Sequence, residues 1–228
     1  MKNIILSALT CGALCLATSQ IYARPFSGPY AGVGVGYGQL TLEHKLDQVD
    51  LNLNNQSIKG NVFAGFGYLF EDVFYLGIEP YFSSGTTTEG NEKLDGGGTG
   101  SYVTEFTSKQ KYSYGIDLLP GLRVNRHALI FVKGGYTRSR FTTTIENEPP
   151  GDDVTHTNNH NVNGYRLGIG AEIAPEDTNI RLRVEFNHDR YQEYTATFTN
   201  GVESLGIKTQ PTVNSIMLNA LYQFSIMD

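Results

Sequence analysis

Charged side chains occupy alternate positions of the segment IRLRVEFNHDRY, residues 180–191. Arg181, Arg183, Glu185, Asn187 and Asp189 share one phase, and Ile180, Leu182, Val184 and Phe186 share the other. Both signs of charge are present, so ion pairs among these side chains are possible. Strict alternation is typical of a β-strand and not of a helix. The segment is therefore predicted to be a strand with one charged and one apolar face.

Motifs that would indicate catalysis or cofactor binding are scarce. The chain contains no G-x-S-x-G, no H-E-x-x-H and no phosphate-binding P-loop. His156 and His160 lie in the sequence HTNNH, close to Asp152 and Asp153. Outside a helix, this spacing sets no metal-ligand geometry, so solvated loop residues are the favoured interpretation. The sequence predicts no enzyme, no metal site and no cofactor.

The first residues resemble an export signal. Lys2 provides a positive start, residues 4–17 are apolar or small, and Ala23 is a plausible cleavage point. We therefore expect a secretory signal peptide at 1–23 and a mature domain at 24–228. Both cysteines, Cys11 and Cys15, fall inside this signal, so the mature chain is expected to have neither disulfides nor thiolate chemistry.

The alternation of the opening segment recurs along the mature chain, in eight segments altogether. The apolar phases begin at Ala31, Val62, Phe74, Tyr112, Ile130, Tyr165, Ile180 and Ile216. Long polar connections at 43–56, 85–105, 142–161 and 195–212 alternate with short ones near Glu71–Asp72, Asn125–His127 and Pro175–Asn179. An even strand number with alternating short turns and long loops is typical of bacterial outer-membrane barrels. The predicted fold is all-β: a single eight-stranded antiparallel up-and-down transmembrane β-barrel with long extracellular loops and short periplasmic turns.

In such a barrel the apolar phase faces lipid and the other phase faces the lumen. A one-residue slip of register would exchange the two phases, and each Arg or Lys placed at mid-bilayer costs about 2–4 kcal/mol. The charges are therefore predicted to point inward. The candidate lumen network is Glu79, Asp117, Arg123, Lys133, Arg166, Glu172, Arg181, Arg183, Glu185 and Asp189.

Two further features bear on the barrel wall. Aromatic residues of the apolar phase collect towards the strand ends, as in the interfacial girdles of such barrels. Tyr37, Phe82, Tyr112, Tyr114, Tyr136 and Tyr165 lie near the long loops, and Phe70, Phe74, Tyr222 and Phe224 lie near the short turns. Pro80 and Pro120 interrupt two strands, and because proline lacks a backbone donor, we expect a bulge or bend at each.

The mature chain resembles the opacity-type, OmpA-like eight-stranded outer-membrane barrels of Gram-negative bacteria. The resemblance covers nearly all of residues 26–226 and rests on YAGVGVGYG, FVKGGYTRSRF, YRLGIGAEI, RLRVEFNHDRY and SIMLNALYQF, in that order. It implies location in the outer membrane and recognition of a terminal aromatic residue by the barrel-assembly machinery. Phe224 matches that residue, although residues 225–228 follow it. No peptidoglycan-binding domain follows the barrel segments, so tethering to the cell wall is not implied.

Charges outside the lumen suggest partners. Arg138, Arg140 and Arg190 lie on the outward phase at the upper strand ends, where guanidinium groups could bind lipopolysaccharide phosphates. An ordinary solvated rim is the alternative. Three of the four long loops carry a net negative charge, which disfavours nucleic acid as a partner.

Several functions are compatible with these features. The first is a surface-exposed structural or adhesion protein whose four long loops contact host or neighbouring-cell molecules. The second is a narrow porin-like channel, because lumen-phase glycines, including Gly32, Gly34, Gly36, Gly168 and Gly170, would leave space. The third is a soluble lipocalin-like barrel with an apolar ligand inside, which would invert the two phases. A lipid-hydrolysing enzyme is disfavoured because His188 lacks a serine partner in its strand.

Overall fold

The structure is a computed structural model. It describes residues 25–46, 49–87, 92–95, 103–148, 154–176, 178–199 and 204–224. The predicted signal peptide at 1–23 and the tail at 225–228 lie outside the described residues. No helix in the described part of the chain is long and apolar enough to cross a membrane.

A closed antiparallel barrel of eight long strands is the core of the fold, which confirms the predicted architecture. The strands are β1 (Gly28–Leu46), β2 (Val49–Phe70), β3 (Phe74–Thr87), β4 (Glu92–Asp95), β5 (Val103–Asn125), β6 (Ala128–Glu148), β7 (Val154–Ile173), β8 (Ile180–Tyr191), β9 (Tyr194–Thr199) and β10 (Ser204–Gln223). Each long strand pairs with the next, and β10 pairs with β1 to close the ring. The short strands β4 and β9 pair only with β5 and β10 among the described residues.

The short periplasmic connections form where the sequence predicted them. Between β2 and β3, the amide of Val73 donates to the carbonyl of Phe70 (3.1 Å). Glu71 and Asp72 have φ values of 48° and 58°. Three residues connect the paired Phe70 and Phe74, and positive φ at the two central positions of the turn fits the twist of a β-hairpin. Arg126 and His127 form the corresponding turn between β5 and β6.

The long connections differ from the prediction, because much of each is strand and not loop. β5 has 23 residues and β2 has 22, whereas about 9–11 residues cross a bilayer. The β1–β2 ladder continues to Leu46 and Val49, deep inside the predicted loop 43–56. Thr-rich and alternating sequence at these ends continues the pleat beyond the membrane. Polarity alone was therefore a poor guide to where the strands end.

Above the membrane the ring divides into two four-stranded sheets. We call the first the β1 sheet; it contains residues 194–199 (β9), 204–209 (β10), 43–46 (β1) and 49–56 (β2). We call the second the β6 sheet; it contains residues 92–95 (β4), 103–108 (β5), 142–148 (β6) and 154–163 (β7). No pairing between the two sheets at this level joins the described residues.

The apolar phase covers the outside of the barrel. Ile169 is 61% exposed and Leu218 is 62% exposed, whereas Asp117 and Asp189, on the other phase, are fully buried. An apolar exterior around a charged interior is the arrangement of a barrel in lipid. The soluble lipocalin-like alternative, which requires the inverse arrangement, is therefore wrong.

Pro80 and Pro120 disrupt the wall less than expected. Both side chains face outward, and each proline stays in register across the β3–β5 ladder, with Ile116 and Leu76 respectively. On the other side of Pro80, the β2–β3 ladder skips two residue pairs and resumes in the same register. The β5–β6 ladder does the same beside Pro120. The predicted bulge is therefore absent at both positions, and the missing amide is accommodated by a local gap in one ladder.

The aromatic residues predicted to form girdles lie on the outer face of the barrel. Phe82 stacks with Tyr112, and Tyr112 stacks with Tyr114, at centroid distances of 5.9 and 6.5 Å. At the periplasmic end, Tyr222 and Phe224 make an edge-to-face contact at 5.2 Å. These positions correspond to the two water–lipid boundaries at which aromatic girdles occur.

Candidate functional site

Three layers of side chains fill the lumen. The periplasmic layer is an apolar cluster of Phe26, Tyr75, Leu119, Leu129, Phe131 and Ala174. The extracellular layer is a second apolar cluster of Leu40, Phe141, Val162, Tyr191 and Val213. Between them lie the buried charges together with the rings of Tyr30, Phe63 and Tyr81. The charged layer is thus enclosed by apolar side chains at both ends.

Lys133 lies at the centre of the charged layer. Its ammonium group lies 3.1 Å from Oε1 of Glu79 and 3.0 Å from both carboxylate oxygens of Glu185. A carboxylate oxygen of Asp117 lies 3.6 Å away. These groups come from strands β3, β5, β6 and β8, so one cation bridges most of the lumen.

Arg183 connects this centre to the periplasmic side of the network. One terminal nitrogen lies 2.6 Å from Oε2 of Glu79 and 3.0 Å from Oε1 of Glu185, and Nε donates to Glu172 (2.8 Å). Glu172 also pairs with Arg181 (2.6 Å). The hydroxyl of Tyr30 donates to Glu79 (3.0 Å). Arg guanidinium groups suit such sharing because they present several donors in a fixed plane.

A second group of charges lies towards the extracellular side. Arg166 binds Asp189 in a bidentate manner, with N–O distances of 2.6 and 2.8 Å. The Arg166 guanidinium also lies 3.9 Å from the ring centre of Tyr81 and 3.7 Å from Asp117. Asp117 therefore connects the two groups of charges.

The lumen layer is electrically balanced. Among the described residues, the buried charged side chains are five cations and five anions: Lys59, Lys133, Arg166, Arg181, Arg183, Glu79, Asp117, Glu172, Glu185 and Asp189. Nine of these belong to the predicted network. The exception is Lys59, which the sequence analysis missed because it began the second strand at Val62. If the outward-facing phase of this strand is extended back to Gly60, Lys59 falls on the inward-facing phase.

Arg123 was predicted to be part of the network but lies apart from it. Its side chain is partly exposed at the periplasmic rim, where it pairs with Asp72 of the β2–β3 turn at 3.6 Å. The β5–β6 register shifts between Arg123 and Asn125. Arg123 is on the lumen phase, but it lies at the end of the strand, where the lumen meets water.

The lumen glycines do not leave the space that a channel would need. A Cβ added to Gly170 would lie 2.4 Å from the Phe131 ring, one on Gly32 would lie 2.4 Å from Phe63, and one on Gly115 would lie 2.9 Å from the Tyr81 hydroxyl. Each glycine thus provides room for a large ring from another strand. The sequence analysis interpreted the glycines as empty space because it considered each strand without its neighbours.

Other residues from the sequence analysis lie outside this network. Arg138 and Arg140 are half-buried on the outward face of β6, and Arg190, on the outer face of β8, donates to Gln210 (3.3 Å). His160 stacks on Tyr194 at 4.9 Å, and the side chain of His156 lies outside the described residues.

His188 and Phe224 also have defined partners. His188 hydrogen-bonds Asn214 (2.7 Å), and the amide of Phe224 donates to the Pro29 carbonyl (2.9 Å). Within the described part of the chain, no three His, Cys, Asp or Glu side chains are grouped so that they could hold a metal ion. The role of Phe224 as an assembly signal stays a prediction.

Comparison with known families agrees with this geometry. The family model described as "Outer membrane protein beta-barrel domain" matches residues 6–224. The chain belongs to this family. It is therefore an outer-membrane barrel of Gram-negative type, and its apolar face lies in the outer membrane. Among curated proteins, no sequence matches significantly.

Solved structures similar to this outer-membrane barrel have low sequence identity. A major outer membrane protein from Thermus thermophilus is 15% identical, with a TM-score of 0.50 over 85% of this chain and 99% of that one. Neisserial surface protein A is 11% identical (TM-score 0.46; 87% and 98% covered). Ail, the attachment invasion locus protein of Yersinia pestis, is 15% identical (TM-score 0.42; 87% and 99% covered). At this identity the likeness shows the fold alone.

Replacing Lys133 with Met should strongly destabilise the barrel. The substitution leaves Glu79 and Glu185 buried without their shared cation, and removing one partner of a buried pair costs about 3–5 kcal/mol. The free energy of unfolding in lipid vesicles, measured by urea titration, should fall by that amount. The double substitution Lys133→Met with Glu185→Gln should recover part of the loss.

Arg123→Gln is the matched control, because it removes a cation whose partner is exposed. Its effect should stay below about 1 kcal/mol. Equal losses for Lys133→Met and Arg123→Gln would contradict the placement of the charged layer.

Proposed function

We propose that this outer-membrane barrel is a non-enzymatic protein that displays the β1 sheet and the β6 sheet at the cell surface for structural or adhesive contacts. The observation that carries the proposal is the combination of a filled lumen with strands that extend far beyond the membrane. A solute pathway would require an open lumen, whereas surface contact requires structure outside the membrane.

The filled lumen disfavours the channel. Five cations and five anions are buried in its centre, four of the cations in direct ion pairs, and apolar clusters enclose them on both sides. Phe26 adds to the periplasmic closure, because its fully buried ring lies in the periplasmic cluster and 5.6 Å from the Arg181 guanidinium. A barrel of eight strands has an interior just wide enough for side chains to fill. The narrow channel therefore has no specific observation in its favour.

The extensions favour surface contact. β6 continues from the girdle residue Tyr136 to Glu148, which is 12 residues further along the strand. At about 3.3 Å per residue this extension is roughly 40 Å of strand. Ladders join it to both β5 and β7. Structure of this length has no role in crossing the bilayer, so we assign it to contact with molecules outside the cell.

Shortening the extensions tests this proposal. In one variant Asn-Gly replaces residues 43–52, joining the paired residues Leu42 and Leu53 by a two-residue turn. In a second variant Asn-Gly replaces residues 145–156 between Thr144 and Thr157, which are also paired. Attachment of cells that carry each protein to host-cell monolayers and to one another is then counted. The wild type should attach, at least one variant should lose most of this attachment, and both should keep a heat-dependent shift in gel mobility.

Two results would contradict the proposal. One is attachment that is unchanged by both variants and by deletion of the whole protein. The other is conductance above background when the purified wild type is reconstituted in planar bilayers, which would favour the channel.

We further propose that the outward arginines bind lipopolysaccharide phosphates. Arg138 pairs in register with Tyr114 on one side and Asn163 on the other, directly above the girdle residue Tyr136. Arg190 pairs in register with Tyr165 in the same region. These guanidinium groups lie at the level where lipid headgroups begin, and Arg forms bidentate contacts with phosphate.

Reversing the charge of two arginines tests the lipid contact. Arg138→Glu with Arg140→Glu should lower the amount of lipopolysaccharide that co-purifies with the barrel by about threefold or more, since attraction to phosphate becomes repulsion. Arg126→Glu is the matched control, because this exposed residue lies at the periplasmic end. An unchanged lipopolysaccharide content in the double variant would show that the arginines form only a solvated rim.

A further inference from the structure

Outward-facing charge just above the extracellular girdle lies on one side of the barrel. Strands β5, β6 and β8 carry the cations there, namely Lys111, Arg138, Arg140 and Arg190. Among the described side chains of β5 to β8, no Asp or Glu faces outward at this level. On β10, β1, β2 and β3 the described outward-facing side chains at this level are uncharged, and they include Gln39 and Gln56. We call the two sides the cationic half and the neutral half.

A protrusion and a hollow lie side by side in the membrane below the neutral half of the rim. Val35 is 64% exposed and pairs in register with Leu218, which is 62% exposed, so the two side chains stand out from the wall. On its other side Val35 pairs with Gly60, which faces outward. A Cβ added to Gly60 would have no atom nearer than 3.9 Å. The protrusion and the hollow are on adjacent strands and lie at nearly the same depth.

We propose that two copies of this chain pair in the outer membrane through their neutral halves, with Val35 and Leu218 of each copy packed into the Gly60 hollow of the other. The inference goes beyond the proposed function, because it concerns association within the membrane. Two copies in one membrane have the same orientation, so a two-fold axis along the membrane normal relates them and surfaces at equal depth meet. A protrusion beside a hollow then fits twice. Close packing of this kind drives association in lipid, where burial from water contributes little.

The rim above this surface is also complementary to itself. Gln39 and Gln56 are both exposed and pair in register, one step above the pair of Tyr37 and Ile58. A carboxamide group is both a donor and an acceptor of hydrogen bonds. The same side chains from two copies can therefore hydrogen-bond to one another across the two-fold axis, which favours a second copy of this chain as the partner.

The cationic half is unsuited to the same contact. A two-fold interface places the same patch of both copies together. Around the cationic half, Arg138 and Arg140 of one copy would face the cations of the other, and no described outward-facing carboxylate at this level would offset the repulsion. Like charges placed opposite each other suppress such pairing. The distribution of charge therefore selects the neutral half.

Chemical cross-linking in intact outer membranes tests the pairing. Gln39→Cys places a thiol on the neutral half, and the native cysteines, Cys11 and Cys15, lie in the predicted signal peptide. Asn161→Cys, on the outward face of β7 in the cationic half, is the matched control. After treatment with a short bifunctional maleimide, most of the Gln39→Cys protein should migrate as a dimer on denaturing gels. The Asn161→Cys protein should stay monomeric.

Filling the hollow tests the packing. Gly60→Leu, combined with Gln39→Cys, should lower the cross-linked fraction by about fivefold or more, because the new side chain occupies the space that the partner copy enters. Gly134→Leu is the matched control. Gly134 also faces outward and has nothing within 4 Å of an added Cβ, but it lies on β6 in the cationic half. This control should leave cross-linking unchanged, and every variant should keep the heat-dependent mobility shift of a folded barrel.

Three outcomes overturn the proposal. The first is a Gln39→Cys protein that stays monomeric, and the second is equal cross-linking of Asn161→Cys, which would report only random collision. The third is cross-linking that Gly60→Leu leaves unchanged or lowers no more than Gly134→Leu does, which would indicate that a lipid acyl chain fills the hollow. The cross-linked fraction does not depend on attachment to other cells, so this result is independent of the test of the proposed function.

Discussion

Pairing of charge inside a dry lumen is the constraint on which the rest of this barrel depends. Ten charged side chains are removed from water between two apolar layers. Each would cost several kcal/mol if it were unpaired. Lys133, Arg183 and Arg166 offset that cost only because β3, β7 and β8 bring their carboxylates within about 3 Å. The pairing therefore requires one register, and a slip in any of these strands would leave charges without partners.

The lipid imposes the complementary constraint on the outside of the barrel. Backbone donors and acceptors at membrane depth must be satisfied within the wall, which is why the ring closes through β1 and β10. Pro80 and Pro120 are tolerated because each interrupts only one of its two ladders and keeps the register. Above the membrane this requirement ends, since water can satisfy free edges. The division into two sheets occurs at that level.

Alternation alone was sufficient to predict the eight strands, nine of the ten inward charges and the lipid face. Arg181, Arg183, Glu185 and Asp189 could be placed because a single phase of one strand carries them all. Two kinds of feature could not be predicted without the three-dimensional structure. The fit of Phe131 against Gly170 depends on two neighbouring strands, and so does the sharing of Glu79 between Lys133 and Arg183. Strand ends were misjudged because polar, Thr-rich sequence is compatible with both loops and solvated strands.

The most direct test of the account is a labelling scan along β10. The only cysteines, Cys11 and Cys15, lie in the predicted signal peptide, so single cysteines can be introduced at Ser215, Ile216, Met217 and Leu218 and spin-labelled. Collision rates with oxygen and with a water-soluble nickel complex are then measured in lipid vesicles. Labels at 216 and 218 should collide readily with oxygen, and labels at 215 and 217 should collide with neither reagent. Strong collision of nickel with 215 and 217 would reveal a water-filled lumen and contradict the closed, charge-paired interior.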